Sequence, residues 1–453
     1  MLISRYSKPE FDPYGDNVPV ETDAWWPAPT AVAPLACTVS LPGSKSLTNR
    51  ELVLSALADA PSLLRSPLHS RDSDLMVDAL RQMGTTIEAV PGDGAFGNDL
   101  RITPTDELLG STTVDCGLAG TVMRFVPPLA ALALGPTTFD GDPGARLRPM
   151  STMITALRDL GADINDDGRS ALPFTVHGRG AVTGGEVTID AGASSQFVSG
   201  LLLAASRFDQ GLHLRHSGER LPSLPHIEMT IATLANRGIT VASPTVGEWI
   251  VEPGIIRGAE IDIEPDLSNA APFLAAALVT GGSVTISGWP SHTTQVGAHL
   301  QELLSLFGAT VDLNGDHLTV TAGNGIRGVE LDLGAGGELA PALVALAALA
   351  DSPSTITGIG HLRHHESNRL EALATEINRL GGNVTELPDG LHIEPRPLTG
   401  GEWRSYDDHR MATAGALIGL AVPGVLVENI ATTAKTLPQF PELWNAMLPE
   451  AQL

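Results

Sequence analysis

The sequence predicts an α/β or α+β fold built from six repeated units, three in each of two lobes. Three observations predict it. A phrase in which a leucine-containing helix end meets a glycine and then a β-branched alternating stretch occurs five times: LRQMGTTIEA at Gly84, LRDLGADIND at Gly161, LANRGITVAS at Gly238, LLSLFGATVD at Gly308 and INRLGGNVTE at Gly381. Glycine after a last helical turn is the usual left-handed cap, so each phrase reads as helix, cap and strand. A second series of helix starts, near Lys45, Gly120, Ser195, Asp266, Glu338 and Asp408, recurs at intervals of roughly 70 to 75 residues and gives each unit two helices. Short Val/Ile/Thr-rich segments, among them EVTID (186–190), SVTISG (283–288) and HLTV (317–320), supply the strands.

In chain order, units one to three run from 43 to 263, and units four to six from 264 onward together with the strand before Pro42. A sixth phrase would fall where the chain runs out. Pro438–Leu448 is therefore read as its helix and Cys37–Leu41 as its missing strand, a composite that requires the two ends of the folded chain to lie close together. Lobe I then comprises residues 31–42 plus 264–453 and lobe II residues 43–263, with the site in the cleft between them. Residues 1–30 are expected to be a flexible extension.

Composition narrows the function. Of 453 residues, 43% are hydrophobic and 17% charged, a balance that excludes disorder for most of the chain. Twenty-seven basic against 52 acidic side chains leave −25, which argues against a general binder of nucleic acid or anionic membrane. Any anionic ligand must be met by a local cluster of cations. Cys37 and Cys116 are the only cysteines, so neither a disulfide framework nor a cysteine zinc site is expected. The first thirty residues lack an apolar signal core, and the longest apolar run, Ala342–Ala350, is far too short to span a membrane. A cytoplasmic location is the resulting expectation. No His-Glu-x-x-His, Gly-x-Ser-x-Gly or Rossmann fingerprint is present.

The unusual polar clusters fall at helix starts, where unpaired N–H groups and a partial positive charge favour anions. LPGSKSLTNR offers Lys45, Ser46 and Arg50, although it lacks the glycine of a Walker A loop. DCGLAGTVMRF brings Gly120, which lets a ligand approach the backbone, and Arg124. GDPGARLRP holds Arg146 and Arg148, and guanidinium groups suit bidentate recognition of carboxylate or phosphate. GASSQF sets Ser194, Ser195 and Gln196 together, and LPSLPHI adds Ser223 and His226 before a helix. GAGGELAP places Glu338 where a carboxylate either serves as a general base or complements a helix dipole. HLRHHESNR contains His365, Glu366 and Arg369, with Arg369 one turn after His365 on a helix face. YDDHRMA holds His409 and Arg410, and TAKTLP holds Lys435. Each cluster alone is equally compatible with a capped, solvated helix start.

Together, PGSKSxxNR, AGTxMR, RP after a GD-containing turn, SSQF, HExxR, DHRMA and TAKT closely resemble the 5-enolpyruvylshikimate-3-phosphate synthase family, in the family's order, from about Pro42 to Leu448. The resemblance implies a two-lobed inside-out α/β barrel. It also implies transfer of an enolpyruvyl group from phosphoenolpyruvate to the 5-hydroxyl of 3-phosphoshikimate, a reaction inhibited in many members by glyphosate. By the same resemblance Lys45, Ser46, Arg50, Ser194, Ser195, Gln196, Ser223, Glu338 and His365 hold 3-phosphoshikimate. Lys45, Gly120, Arg148, Gln196, Arg369, Arg410 and Lys435 hold phosphoenolpyruvate. Glu338 is the implied base on the 5-hydroxyl, and Glu366, with Lys45 nearby, the implied group for proton traffic at C3. No metal or organic cofactor is implied, the partners are the two small substrates, and a monomer is expected.

The chain departs from the family's commonest pattern at Leu118, Phe125, Glu338, His365 and His226, which stand where many members have Asn, Pro, Asp, Lys and, in some, Tyr. A histidine in place of lysine makes that contact pH-dependent if its charge matters. Two alternatives stand beside this reading: a catalytically silent sensor of phosphorylated metabolites on the same scaffold, and the sister transferase acting on a UDP-amino sugar. The second is disfavoured by Ser46 after Lys45 and by the position of Cys116.

Overall fold

A computed structural model describes residues 25–449. The five phrases end helices as expected: the five glycines all have φ between 86° (Gly238) and 103° (Gly308), backbone that a Cβ would strain. The repeating unit is strand, helix, strand, helix and then a two-stranded hairpin. In the second unit, Thr112–Asp115 pairs in parallel with Leu134–Asp140, which pairs antiparallel with Phe174–Arg179, which in turn pairs with Asp163–Asn165. Among the described residues five four-stranded sheets share this order, and in the second, third and fifth units a crossover helix bridges the parallel pair.

The helices are α1 (Lys45–Ala56) and α2 (Arg71–Gln82) in the first unit, and α3 (Gly120–Leu132), the short α4 (Pro143–Arg146) and α5 (Ser151–Asp159) in the second. The third unit holds α6 (Gln196–Ala205) and α7 (Leu224–Asn236), the fourth α8 (Leu267–Thr280) and α9 (Leu300–Leu306). In the fifth are α10 (Ala340–Ala348) and α11 (Arg369–Arg379), in the sixth α12 (His409–Gly419) and α13 (Phe440–Ala446). Helices, not strands, make the core. Every residue of α3 and of α10 is buried, as fits sequences that are apolar but for Thr121 and Arg124 at the start of α3. The sheets lie outside them, with strands such as Glu248–Val251 alternating between half-buried and buried residues. Two separate hydrophobic cores result, one drawn from Ala28–Leu41 and Leu267–Met447, the other from Leu52–Ile263.

Two expectations are corrected. Cys37–Leu41 does not complete the last unit: Ala36–Val39 pairs in parallel with Ser283–Ile286 in the fourth. The last unit is closed by Trp25–Pro27, antiparallel to Leu426–Glu428, with Ala28 buried beyond it and its amide bonded to the Val425 carbonyl at 2.9 Å. Residues 25–30 thus differ from the flexible extension expected there, because burying Trp26 and Ala28 against the core offsets the cost of ordering them. The rest of that extension, residues 1–24, lies outside the described residues.

The first and fourth units exchange strands. Ala36–Val39 precedes α1 in sequence yet lies in the fourth unit's sheet, whereas Glu260–Asp262 precedes α8 yet pairs with Leu63–Arg65 in the first. The two connecting segments run side by side, Ser44 N–H donating to the Glu264 carbonyl at 2.7 Å and Asp266 N–H to that of Pro42 at 2.9 Å. Gly43 is required there, since an added Cβ would lie 2.3 Å from the Ser66 carbonyl oxygen. Among the described residues no helix is long and apolar enough to cross a membrane.

Candidate active site

The strand exchange brings the starts of α1 and α8 together, and the repeat brings the others to the same place. All six buried helices begin at one cleft, which is lined by Lys45 and Ser46 of α1, Gly120 and Thr121 of α3, Ser195 and Gln196 at α6, Asp266 and Ser268 at α8, Glu338 before α10, and His409 and Arg410 of α12. Six positive helix ends and six cationic side chains (Lys45, Arg50, Arg124, Arg148, Arg369 and Arg410) meet there, against three carboxylates. A chain of net charge −25 has therefore concentrated its cations where anions would dock.

Of the sequence-predicted residues, Lys45, Ser46, Arg50, Gly120, Arg148, Ser194, Ser195, Gln196, Ser223, Glu338, His365, Arg369 and Arg410 all line the cleft, together with Glu366. Lys435 adjoins it, at the end of a 3₁₀ turn, its Nζ 2.8 Å from Glu366 Oε1 and 3.1 Å from the Leu118 carbonyl. Arg146 does not belong: it makes a paired contact with Asp140 on the surface. His365 and Glu366 do not share a helix face with Arg369, because α11 starts at Arg369 with Asn368 as its cap, and the two lie in the preceding loop. His226 lies within the first turn of α7 rather than before it.

On one side of the cleft a dense ion network is buried. Arg369 donates through Nε to Asp408 Oδ2 (2.7 Å), and through its terminal nitrogen to Asp408 Oδ1 (3.0 Å) and Glu366 Oε2 (3.0 Å). Asp408 also caps α12, accepting from the Arg410 amide at 3.0 Å. Burial opposes the charge on Glu366, yet Lys435, Arg369, Arg148 and His409 together hold its carboxyl well below the usual range. The structure puts Lys435, not Lys45, beside Glu366; the carboxylate paired with Lys45 is Asp72, at 3.6 Å. Burial, reinforced by the charge of Arg369, pushes His365 well below the ordinary imidazole range, which works against its replacing the charge of a lysine.

Glu338 is held from several sides: the Ser268 hydroxyl donates to Oε1, His226 Nε2 lies 3.1 Å from Oε2, and Arg410 is 3.9 Å away. Burial works to raise this carboxyl, but His226, Arg410 and Ser268 outweigh it and keep it ionised far below neutrality. Arg50 is buried, which lowers it to about 10, and its donors are taken by Thr230, Ser199 and the carbonyls of Ser46 and His226. It stiffens the cleft floor as much as it presents charge. Several cleft atoms are buried without a protein partner: Gln196 Oε1, the Nε of Arg124 and Arg148, and both ring nitrogens of His409. Buried polar groups rarely stay unpaired, so these are the natural contacts of a polar ligand.

Sequence reasoning missed the cleft roles of Ser268, Asp266, His361 and His364, and left Arg124, Asp408 and His409 unassigned. Asp266 and Ser268 did carry a signal, the helix start DLSN, in which the Asp266 side chain accepts from the amides of Ser268 and Asn269.

Gly120 yields a prediction. A Cβ there would lie 2.9 Å from Gln196 Oε1 and 3.1 Å from Arg124 and Arg148 terminal nitrogens, all ends of flexible side chains. Gly120→Ala should therefore fold normally but displace the groups that meet the ligand. Its KM for the anionic substrate bound at this helix start is expected to rise about tenfold, some 1.4 kcal/mol. Steady-state kinetics that leave that KM unchanged would remove Gly120 from the site.

A family model described as EPSP synthase (3-phosphoshikimate 1-carboxyvinyltransferase) matches residues 29–444. A curated protein of Kocuria rhizophila named 3-phosphoshikimate 1-carboxyvinyltransferase is 57% identical over 431 residues, covering 94% of this chain and 97% of that protein. Two solved structures of EPSP synthase from Acinetobacter baumannii share the fold. One has a TM-score of 0.76 at 23% identity, covering 93% of this chain and 97% of the other, and the second 0.75 at 22%, covering 94% and 99%.

Proposed function

Because the chain belongs to the EPSP synthase family, we propose a division of labour among the cleft residues for the family's reaction. The enzyme transfers the enolpyruvyl group of phosphoenolpyruvate to the 5-hydroxyl of 3-phosphoshikimate and releases phosphate, a step of the shikimate pathway toward aromatic amino acids. Lys45, Ser46, Arg50, Ser194, Ser195, Gln196, Ser223, Glu338 and His365 hold 3-phosphoshikimate. Lys45, Gly120, Arg148, Gln196, Arg369, Arg410 and Lys435 hold phosphoenolpyruvate. The observation that carries this assignment is the convergence of six helix N-termini and six cationic side chains on one cleft, matching substrates that each bear a phosphate and a carboxylate.

Glu338 provides the basic charge at the 5-hydroxyl, and Glu366 with Lys435 carries the proton at C3. The ammonium of Lys435, 2.8 Å from Glu366, is the proton source, since Glu366 itself is held ionised. The two hydrophobic cores mark two lobes, the described residues 25–42 plus 264–449 and residues 43–263, which close on the substrates and exclude water. Contacts that join the two cores support closure: the Ser223 amide to the Gly334 carbonyl at 3.3 Å, Lys435 to the Leu118 carbonyl, and the ion pair of Arg220 with Asp389. The enzyme works as a cytoplasmic monomer. Identity of 57% along nearly the whole chain does not favour the UDP-amino-sugar transferase, nor do cleft residues Glu338, Glu366 and Lys435 favour a silent sensor.

The test is phosphate release with both substrates, each omitted in turn, alongside Glu338→Gln. Release should require both, and the variant should fall by about 10²- to 10³-fold. Tight binding of both without release would leave only the sensor.

A further inference from the structure

Glu338 is an unpromising base by itself. One oxygen accepts from Ser268, the other faces His226 Nε2, and Arg410 stands close by. A carboxylate so well stabilised has little drive to take a proton from an alcohol.

We propose that His226 and Glu338 form a catalytic dyad across the cleft, in which the His226 imidazole takes the 5-hydroxyl proton and Glu338 orients and stabilises that imidazole. The inference rests on the transferase reading above and deepens its account of the base. His226 is set in the first turn of α7, with its carbonyl fixed by Arg50 (2.9 Å), Thr230 (2.9 Å) and Ser199 (3.4 Å). Its ring borders the cleft and is largely buried. With Nε2 donating to Glu338, the tautomer is fixed and Nδ1, which has no partner among the described residues, keeps its lone pair. The charged groups around it are few: Arg50 from α1, and Glu338 with Arg410 from the opposite lobe. Its neighbour on α6 is the neutral Ser199, and Arg237 at the far end of α7 is neutralised by Glu51. Histidine and glutamate come from different lobes, so the dyad exists only when the cleft is closed. Proton removal is thereby tied to substrate enclosure.

The atoms balance. In the addition step the O5–H bond breaks, its proton goes to Nδ1, O5 bonds to C2, and the C2=C3 pair takes a proton at C3 from the Lys435–Glu366 side. In the elimination step that C3 proton returns, the C2=C3 bond re-forms, and the C2–O bond to phosphate breaks with its electron pair going to the phosphate. Phosphate then takes up the proton held by His226.

The experiment uses the full chain and compares wild type, His226→Gln and Glu338→Gln over about pH 5 to 9, the range in which an imidazole changes charge. Glutamine at 226 retains a donor for Glu338 but has no basic nitrogen. Its kcat should fall about 10²-fold with the KM for 3-phosphoshikimate little changed, the acid limb of the wild-type kcat profile should vanish, and added imidazole should restore part of the rate. In Glu338→Gln kcat should fall as well, and added imidazole, which cannot replace the carboxylate, should not restore it. A raised KM with unchanged kcat, or an acid limb that persists in His226→Gln, overturns the dyad. A wild-type protein that releases no phosphate overturns the transferase reading itself.

Discussion

Arg369→Met is expected to abolish turnover and to lower folding stability by about 3–5 kcal/mol, the cost of leaving buried charges uncompensated. Arg369 is 2% exposed and bonds Asp408 twice and Glu366 once, while Asp408 is fully buried. Methionine fills much of the same volume, so the loss is electrostatic rather than a cavity. Denaturant unfolding measures it, and Asp408→Asn added to Arg369→Met should recover part of the loss because one orphaned charge is gone.

The sign of the pH dependence follows. Burial opposes ionisation of Asp408 and Glu366, but Arg369 and, for Glu366, Lys435 hold both carboxyls below their ordinary values in the folded state. Stability from such groups is fully present above the unfolded values of about 4 and is lost as pH falls through the lower folded ones. Wild type should weaken over that acid window, and Arg369→Met should weaken less because the folded values have moved up. Equal acid sensitivity of the two proteins would show that the network does not set these carboxyls.

Glu366→Gln is expected to lower kcat by about 10²- to 10⁴-fold while still folding, at some cost in stability because buried Lys435 loses its carboxylate. Glutamine keeps the shape and one acceptor, so Arg369 retains its bonds to Asp408. What disappears is the carboxylate 2.8 Å from Lys435 Nζ, which positions that ammonium and stabilises its charge before the proton leaves for C3. Wash-in of solvent deuterium at C3 of phosphoenolpyruvate separates this role from binding: exchange should slow with kcat. A variant with slow turnover but unchanged exchange would place Glu366 in binding alone.

Much of this protein was legible in its sequence because the signals are local. Gly84, Gly161, Gly238, Gly308 and Gly381 each mark a cap that needs positive φ, and the structure uses all five so. The starts of α1, α3 and α12 carry Ser44, Gly120 and Asp408, whose caps or openness depend on residues within one turn. The order of seven motifs named the family, and whole-chain similarity agrees. Less legible were the residues before α11, where the sequence places His365 one helical turn before Arg369. Their charge pattern has helical spacing, but Asn368 caps the helix after them by accepting from the Glu371 amide.

The sequence alone therefore determined the repeat, the helix starts and the family, since capping, periodicity and motif order are decided within a few residues of chain. Tertiary structure alone decided which strand completes which unit and which side chains meet across the cleft. A sheet edge offers unpaired N–H and C=O groups to any strand of suitable alternation, so nothing local tells Ala36–Val39 to join the fourth unit or Trp25–Pro27 the sixth. Likewise His226 and Glu338 lie 112 residues apart, and Lys435 and Leu118 are separated by 317. Their encounters depend on two cores packing face to face, a condition that no window of sequence encodes.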